Sequence, residues 1–381
     1  MKPNNSSGIN IGARIRQRVF LIGAALALFS AAAIAAGGRQ DTPKQQPAQQ
    51  QPVMQQPAQQ QPATAKPESG PAKPIGPVIT PIPFGMMNGD DVYNASGVVP
   101  LTSSRFLFCD NNSNDSLFEL IIGENGQRVG PLIRRPLQGL PPGSIDDMEA
   151  MTVVEEKERR FIFVTSSLGA KKPKEVGQPL RIPPSGLLRV TVGSDDGLSA
   201  ENMPGFRDWF IKNSPIAAEA ADRTPDEGGL NIEGLAWDHE RHALLFGLRT
   251  PLLDNIPVVI PVKVKDLDGD WTTDNLKMEA PIQIMLEPDE AARGIRSIEY
   301  VHSLHAFLLV IGKAISGQKA PFALYEWKGG KRGKTHRLDV SFADKMKPEG
   351  LTSVIIAGKP ALLFTDDGGG FQVFWLDQLR P

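Results

Sequence analysis

Four glutamates stand at the start of short strand-like segments in the C-terminal three-fifths of the chain, at Glu149, Glu233, Glu299 and Glu349. If the fold gathers such carboxylates, they repel one another and raise one another's pKa unless a cation lies among them. A hard metal ion such as calcium is one such cation, because its preferred ligands are oxygens. Arg249 and Lys313 are alternative counter-charges. A purely structural role, in which each glutamate holds the backbone of the next repeat, stays open beside the site.

The glutamates belong to a repeating unit. In each copy a short strand is followed by a charged turn and then by a very apolar second strand, with segments at 106–108, 161–164, 243–246, 306–309 and 361–364. A third strand follows each copy, at 117–122, 186–192, 257–262, 322–327 and 371–376. Repeats of this size, rich in β-branched and aromatic residues, are typical of β-propeller blades.

The repeat predicts an all-β fold, a β-propeller with five blades, and six blades as the fallback. Segment 78–83 is expected to pair into the last blade and close the ring, which would leave no long sheet edge exposed. The longest repeat contains an insertion at 194–228, in which 200–212 is expected to form a short helix.

Propeller geometry places the start of the first strand and the end of the second strand of every blade on one face. The polar residues that end the second strands are therefore expected beside the glutamates: Asp110, Ser166, Arg249, Lys313 and Asp366. We predict Ser166, Arg249 and Lys313 as ligand contacts. The candidate metal ligands are Glu149, Glu233, Glu349 and Asp366, and the catalytic candidates are Glu149, Glu233 and Arg249.

Other reactive side chains have simpler interpretations. Cys109 is the only cysteine, so it forms no intramolecular disulfide, and its apolar neighbours predict a buried thiol. The pairs His239/His242 and His302/His305 fall at turns on the face opposite the glutamates, where surface turn residues are expected and not zinc ligands.

The N-terminal region predicts export. Arg14, Arg16 and Arg18 precede an uncharged, largely apolar stretch that ends in small residues, the order of a secretory signal. We divide the chain into a signal peptide or uncleaved anchor at 1–38, a disordered Gln/Pro-rich linker at 39–75 and the propeller at 76–381. The expected location is periplasmic or secreted, with membrane contact only through the N-terminal segment if it is not cleaved.

The charge distribution excludes nucleic acid as a partner. The whole chain carries 41 basic and 43 acidic side chains. Eight basic and two acidic side chains lie in 1–75, which leaves 76–381 with a net charge of −8. An acidic domain lacks the basic face that phosphate backbones require.

One stretch carries a family resemblance. Glu233-Gly234-Leu235-Ala236-Trp237-Asp238, followed by Gly247-Leu248-Arg249 and Pro251, resembles an uncharacterised bacterial β-propeller family, a domain of unknown function similar in appearance to phytase-like and esterase-like propellers. The resemblance implies a secreted or periplasmic propeller, and a calcium-dependent hydrolase of phosphate or carboxylic esters. It carries over Glu149, Glu233, Glu349 and Arg249 as site residues. Glu299 departs from the pattern, because Tyr300 follows it where the other copies have a small residue.

Two functions follow from the sequence. The first is an exported binding or scaffolding module that uses its faces for a protein or glycan partner. The alternative is a metal-assisted hydrolase of a small anionic molecule, in which glutamates hold the cation and Arg249 orients the anion.

Overall fold

The computed structural model describes residues 76–85, 93–156, 159–290, 292–330 and 333–379. The predicted signal segment and linker at 1–75 lie outside the described residues. No helix in the described part of the chain is long and apolar enough to cross a membrane.

The described residues form a five-bladed propeller with two short helices. Blade 1 contains β3 (Ala95–Pro100), β4 (Arg105–Asp110), β5 (Ser116–Ile121) and β6 (Ile133–Gln138), and blade 2 contains β7 (Met148–Glu156), β8 (Arg159–Ser166), β9 (Leu187–Val192) and β10 (Leu198–Asn202). Blade 3 contains β11 (Asn231–Asp238), β12 (Ala243–Thr250), β13 (Val258–Val264), β14 (Leu276–Met278) and β15 (Ile282–Met285). Blade 4 contains β16 (Arg293–Val301), β17 (Ala306–Lys313), β18 (Ala323–Trp327) and β19 (Gly333–Arg337). Blade 5 contains β21 (Pro348–Ile356), β22 (Lys359–Asp366), β23 (Gly370–Trp375) and the early strand β2 (Ile82–Pro83).

The inner strands of the blades close a ring. Strand β3 contacts β7, β7 contacts β11, β11 contacts β16, β16 contacts β21, and β21 returns to β3. This cyclic order confirms the predicted propeller and its five blades. The outermost strands also pair in parallel at two blade boundaries, β6 with β10 and β15 with β19.

Blade 5 is built from both ends of the described chain. Strand β2 pairs antiparallel with β23, with Ile82 opposite Phe371. Just after β2, the Phe84 ring stacks on Phe108 of blade 1 at 5.0 Å and on Phe371 at 5.6 Å between centroids. The closing role predicted for 78–83 is thereby confirmed, although β1 (Val78–Ile79) pairs in parallel with β20 (Ser341–Phe342), the short strand before blade 5.

The second strand of each blade is buried on both faces because neighbouring blades cover it. Strand β12 is buried at seven of its eight positions, which explains why these strands read as continuous apolar runs and not as alternating patterns. The largest core cluster lies between blades 2 and 3 and includes Phe163, Leu235 and Phe246.

The insertion in blade 2 supplies β10 and two helices. The helix expected at 200–212 begins only at Phe206, because β10 occupies the first part of that segment and Gly205 precedes the helix with a φ of 67°. The helices are α1 (Phe206–Asn213) and α2 (Pro215–Ala220). Phe206 and Phe210 anchor α1 against Phe246, at centroid distances of 5.6 and 5.4 Å.

Candidate functional site

Every inner strand carries a β-bulge near its start. The ladder between the first and second strands skips Ser96 and Gly97 in β3, Glu149 in β7, Glu233 in β11, Arg296 in β16 and Glu349 in β21. A bulge inserts an extra residue into one strand and re-aims its side chain. The five bulges therefore give the inner strands a shared position at one end of the channel, which we call the bulge ring.

Hydrogen bonds and ion pairs connect the bulge ring. Ser96 Oγ donates to Glu149 Oε2 at 2.9 Å. Arg296 lies between two glutamates: its Nη2 donates to Glu349 Oε1, and its Nε lies 2.7 Å from Glu233 Oε2. The latter contact is an ion pair without hydrogen-bond alignment, since both atoms lack a hydrogen-bond partner among the described residues.

Arg249 and Asn231 hold the other oxygen of Glu233. Arg249 Nη1 donates to Glu233 Oε1 at 3.0 Å, and Asn231 Nδ2 donates to the same atom at 2.9 Å. Arg249 Nε donates to the Ala314 carbonyl at 2.8 Å, which fixes the guanidinium between blades 3 and 4. Glu233 is therefore held on both oxygens, and its side chain is 3% exposed.

The structure replaces Glu299 by Arg296 in the ring. Glu299 was expected to be the blade 4 equivalent of Glu233, but it lies six residues into β16, near the opposite end of the channel. The bulge and the two extra residues at the start of β16 shift the register, so that Arg296 takes the glutamate position. One of the predicted carboxylates is thus exchanged for the cation that the others require.

The carboxyl of Glu149 has a strongly raised pKa. Burial raises its pKa well above the ordinary glutamate value, and the negative charges of Asp147 and Glu233 raise it further. The Ser96 hydrogen bond and the charge of Arg296 act in the opposite direction and are smaller. The two arginines lie against the other two glutamates, Arg249 against Glu233 and Arg296 against both Glu233 and Glu349.

A cavity of about 350 Å³ opens beside the ring, between blades 2 and 3. We call it the first cavity. Its charged and titratable lining consists of Asp147, Glu149, Lys171, Lys172, Asp226, Glu233 and Arg249, and its neutral polar lining of Ser167, Thr224 and Asn231.

Asp147 is a site residue that the sequence analysis missed. Its φ of 62° places it in the left-handed region, which non-glycine residues adopt uncommonly. Ser167 Oγ donates to its Oδ2, and Lys171 Nζ lies 3.0 Å from its Oδ1. Asp147 thus reaches the cavity as an oriented carboxylate two residues before Glu149. Its position next to a predicted strand start was the only available signal.

The predicted site residues divide into two groups. Glu149, Glu233 and Arg249 meet at the first cavity, and Glu349 joins the ring through Arg296. Ser166 is 1% exposed and bonds the backbone of Gly186 instead. Asp366 accepts from the Lys347 N–H at 2.6 Å, and Lys313 ends β17 opposite Arg293. Ser166, Asp366 and Lys313 are not part of the cavity lining.

The predicted calcium ligands are not gathered into one group of side chains in the described part of the chain. Within the described ranges, no group of three or more His, Cys, Asp or Glu side chains is arranged to hold a metal ion. Arg296 pairs with both Glu233 and Glu349, so a guanidinium already supplies the positive charge among these carboxylates. Calcium binding stays a prediction from the sequence, without a ligand set that fits it.

Comparisons with known proteins found similarity among solved structures alone. No protein-family model matches the sequence, and no curated protein does. Among solved structures, the chain is similar to a GH43 protein from Bacillus licheniformis (10% identity, TM-score 0.41), covering 76% of this chain and 56% of that one. It is also similar to an endo-arabinase from Bacteroides thetaiotaomicron (11%, TM-score 0.44, covering 78% and 96%). An N-acetylgalactosamine deacetylase from F. plautii gives 11% identity and a TM-score of 0.41, covering 81% and 97%.

The first of these proteins is much longer than the part that matches, since the chain spans little more than half of it. At these identities and TM-scores the likeness carries no argument, and the fold rests on the ring of blades itself. The propeller implied by the family resemblance is confirmed by the ring of blades, whereas the phytase-like and esterase-like comparison gains no support. The fold and the site together define a five-bladed propeller with a charged, largely buried ring at one channel mouth.

Proposed function

We propose that this propeller is a hydrolase that cleaves a glycosidic bond in a small polar carbohydrate, with Glu149 as the general acid. One observation carries the proposal: Glu149, a carboxyl whose pKa is raised by burial, lines the same cavity as the carboxylate Asp147. Two carboxyl groups whose environments separate their protonation are the arrangement from which acid and base roles arise.

The contacts of Glu149 suit proton donation. Ser96 is the only described side chain that hydrogen-bonds it, through Oε2, so its second oxygen is free to face a ligand. Glycoside hydrolysis needs a protonated carboxyl that donates to the leaving oxygen and a second carboxylate that acts as base or nucleophile. Asp147, held by Ser167 and Lys171, supplies that second group.

The charge balance of the first cavity favours an uncharged substrate. The lining holds three cations (Lys171, Lys172 and Arg249) and three carboxylates (Asp147, Asp226 and Glu233) besides Glu149. A phosphate ester would favour a net positive site, whereas a carbohydrate uses donors and acceptors in similar number. Ser167, Thr224 and Asn231 add neutral polar groups of both kinds.

A kinetic comparison tests the acid role. We expect the protein to hydrolyse members of a panel of aryl glycosides, and Glu149→Gln to lower kcat by about 10²–10⁴-fold, the usual contribution of a general acid. Dinitrophenyl glycosides, whose leaving group needs no proton, should retain most of their rate in Glu149→Gln but lose it in Asp147→Asn. The control variant is Glu279→Gln, which removes a surface carboxylate outside the cavity lining.

A non-catalytic binding module is the second candidate. Both carboxylate oxygens of Glu233 already contact Asn231, Arg249 and Arg296, which is the arrangement expected of a structural carboxylate. Saturable glycan binding by calorimetry, without turnover of any aryl glycoside, would support this module and contradict the hydrolase. Turnover of aryl phosphates but not of glycosides would contradict both the substrate class and the charge argument.

A further inference from the structure

A second cavity, of about 290 Å³, lies where the inner strands end, at the mouth opposite the bulge ring. Thr152 and Val153 come from β7, Glu299 and Tyr300 from β16, and Ser353 from β21. His239 follows β11, and His302 opens the short turn after β16. This cavity shares no lining residue with the first cavity.

Aromatic rings form one wall of the second cavity. The rings of Tyr300 and His302 meet edge to face at 4.9 Å between centroids. His239 lies 5.5 Å from His302 and 6.1 Å from Tyr300, and Trp237 packs behind His239 at 6.4 Å. Four rings from two neighbouring blades thus meet at one place, in edge-to-face and tilted arrangements that expose both ring faces and edges to a ligand.

Glu299 supplies a carboxyl with one occupied oxygen. Its Oε1 accepts from Thr352 Oγ1 at 3.1 Å, from the Ser353 N–H at 3.1 Å and from Ser353 Oγ at 3.2 Å. No described residue hydrogen-bonds Oε2, and Glu299 lines the cavity. Glu155 adds a second carboxyl to the lining, but its Oε1 is paired with Arg160 Nε at 3.1 Å, whereas none of the lining residues themselves is a lysine or an arginine.

The second cavity is therefore rich in acceptors and in aromatic rings, and the Glu299 carboxyl has no lysine or arginine partner among the described residues. We propose that it binds an organic cation, an ammonium group that rests against the rings of Tyr300 and His302 and pairs with the free oxygen of Glu299. Ammonium groups are attracted to the faces of aromatic rings, most strongly where water is excluded. A carboxylate next to such rings selects the cation over a neutral molecule of the same shape.

Protonation controls this site. Burial raises the pKa of Glu299 to about 7, and the hydrogen bonds from Ser353 and Thr352 offset only part of that rise. Burial lowers the pKa of His239, and the neighbouring His302 lowers it further. The other titratable groups near the carboxyl are Tyr300 and Glu155, and Glu156, Asp238 and His242 lie near His239. The cation is expected to bind where Glu299 is ionised and His239 is neutral, so its affinity rises with pH.

The test measures the binding of choline and of its uncharged isostere dimethylbutanol to the whole protein, by saturation-transfer NMR and by calorimetry. Choline should bind saturably and the alcohol should not. Between about pH 6 and pH 8 the affinity should rise about tenfold, because a group with a pKa of about 7 goes from mostly protonated to mostly ionised.

Two variants separate the parts of the site. Glu299→Gln keeps an oxygen for the three donors, so it should fold, and it should lose both the choline affinity and its pH dependence. His302→Ala removes one ring from an exposed turn and should weaken choline at every pH. Glu149→Gln, at the other mouth, is the matched control and should bind choline as the unmodified protein does.

Equal binding of choline and the alcohol, or no choline binding at any pH, would overturn the proposal. Unchanged affinity in Glu299→Gln with an intact melting curve would do so as well. Loss of glycoside hydrolysis in Glu149→Gln bears only on the first cavity, so the two proposals fail independently.

Discussion

Replacing Arg296 by methionine should remove a large part of the stability of the propeller. The guanidinium is 4% exposed and lies between Glu233 and Glu349, whose side chains are 3% and 6% exposed. Breaking a buried pair by deleting one partner leaves an uncompensated buried charge and costs about 3–5 kcal/mol. Arg249 still holds one oxygen of Glu233, so the larger share of the loss belongs to Glu349.

Urea denaturation followed by tryptophan fluorescence measures this loss as a change in the free energy of unfolding. The double variant Arg296→Met/Glu349→Gln removes the orphaned charge of Glu349 and should recover more than half of the loss, because residues in one ion-pair network couple. The matched control is Arg134→Met. Arg134 and Asp115 are 55% and 58% exposed, and surface pairs of this kind contribute about 0–1 kcal/mol.

At acidic pH the difference in the free energy of unfolding between Arg296→Met and the unmodified protein should become smaller, because a protonated glutamate carries no charge for the guanidinium to balance. A loss of unfolding free energy below about 1 kcal/mol, similar to that of Arg134→Met, would refute the reasoning, because a buried carboxylate without a partner should destabilise the protein by more than that. A double variant no more stable than the single one would show that Glu349 does not depend on Arg296.

Three further results are expected. The raised pKa of Glu149 means that the folded state prefers its protonated form, so this group favours folding below the ordinary glutamate pKa of about 4.3 and progressively opposes it as pH rises; Glu149→Gln should therefore melt with a weaker pH dependence above about pH 5, and an unchanged pH profile would contradict the shift. Phe84→Ala deletes a 3%-exposed ring stacked on Phe108 and Phe371 and should cost about 3–5 kcal/mol in urea titration; a cost near zero would mean that ring closure does not depend on Phe84. Added calcium or EDTA should leave the melting temperature unchanged, because Arg296 already supplies the cation; a large calcium-dependent rise would show that an ion binds the native state.

Much of the fold could be predicted because the second strand of each blade is covered on both faces by neighbouring blades. Strands covered on both faces must be apolar at nearly every position, so they stand out at a regular period, as β12 does. The outer strands carry a weaker signal. Strand β6 is exposed or half-buried at five of six positions, and its sequence contains two arginines and a proline. Such a strand forms because the neighbouring strand presents unpaired backbone N–H and C=O groups at the edge of the sheet. The sequence of the strand itself does not show that this edge is there.

The site was predictable where the repeat keeps one residue type. Glu149, Glu233 and Glu349 each precede a small residue, which lets the bulge form close to its neighbour; a Cβ on Gly350 would lie 2.2 Å from the Ser96 carbonyl oxygen. Blade 4 breaks the pattern, because Arg296 occupies the bulge and Glu299 lies three residues further along the same strand. The position of a bulge cannot be read from the apolar pattern of the strand. The spacing to the following apolar strand therefore pointed to Glu299, whereas the bulge residue is Arg296.

The pairing of β2 with β23 means that the ring can close only when both ends of the propeller sequence are present. Residues 82–83 come early in the sequence, but the strand with which they pair begins at Gly370. Strand β2 can therefore pair only after the chain has been made almost to its end. A chain that stops before 370 holds four complete blades and leaves Phe84 without Phe371. Both channel mouths draw on blade 5, through Glu349 at one and Ser353 at the other. A product that stops before 370 contains both residues but not β23, so the blade that holds them lacks the strand with which β2 pairs.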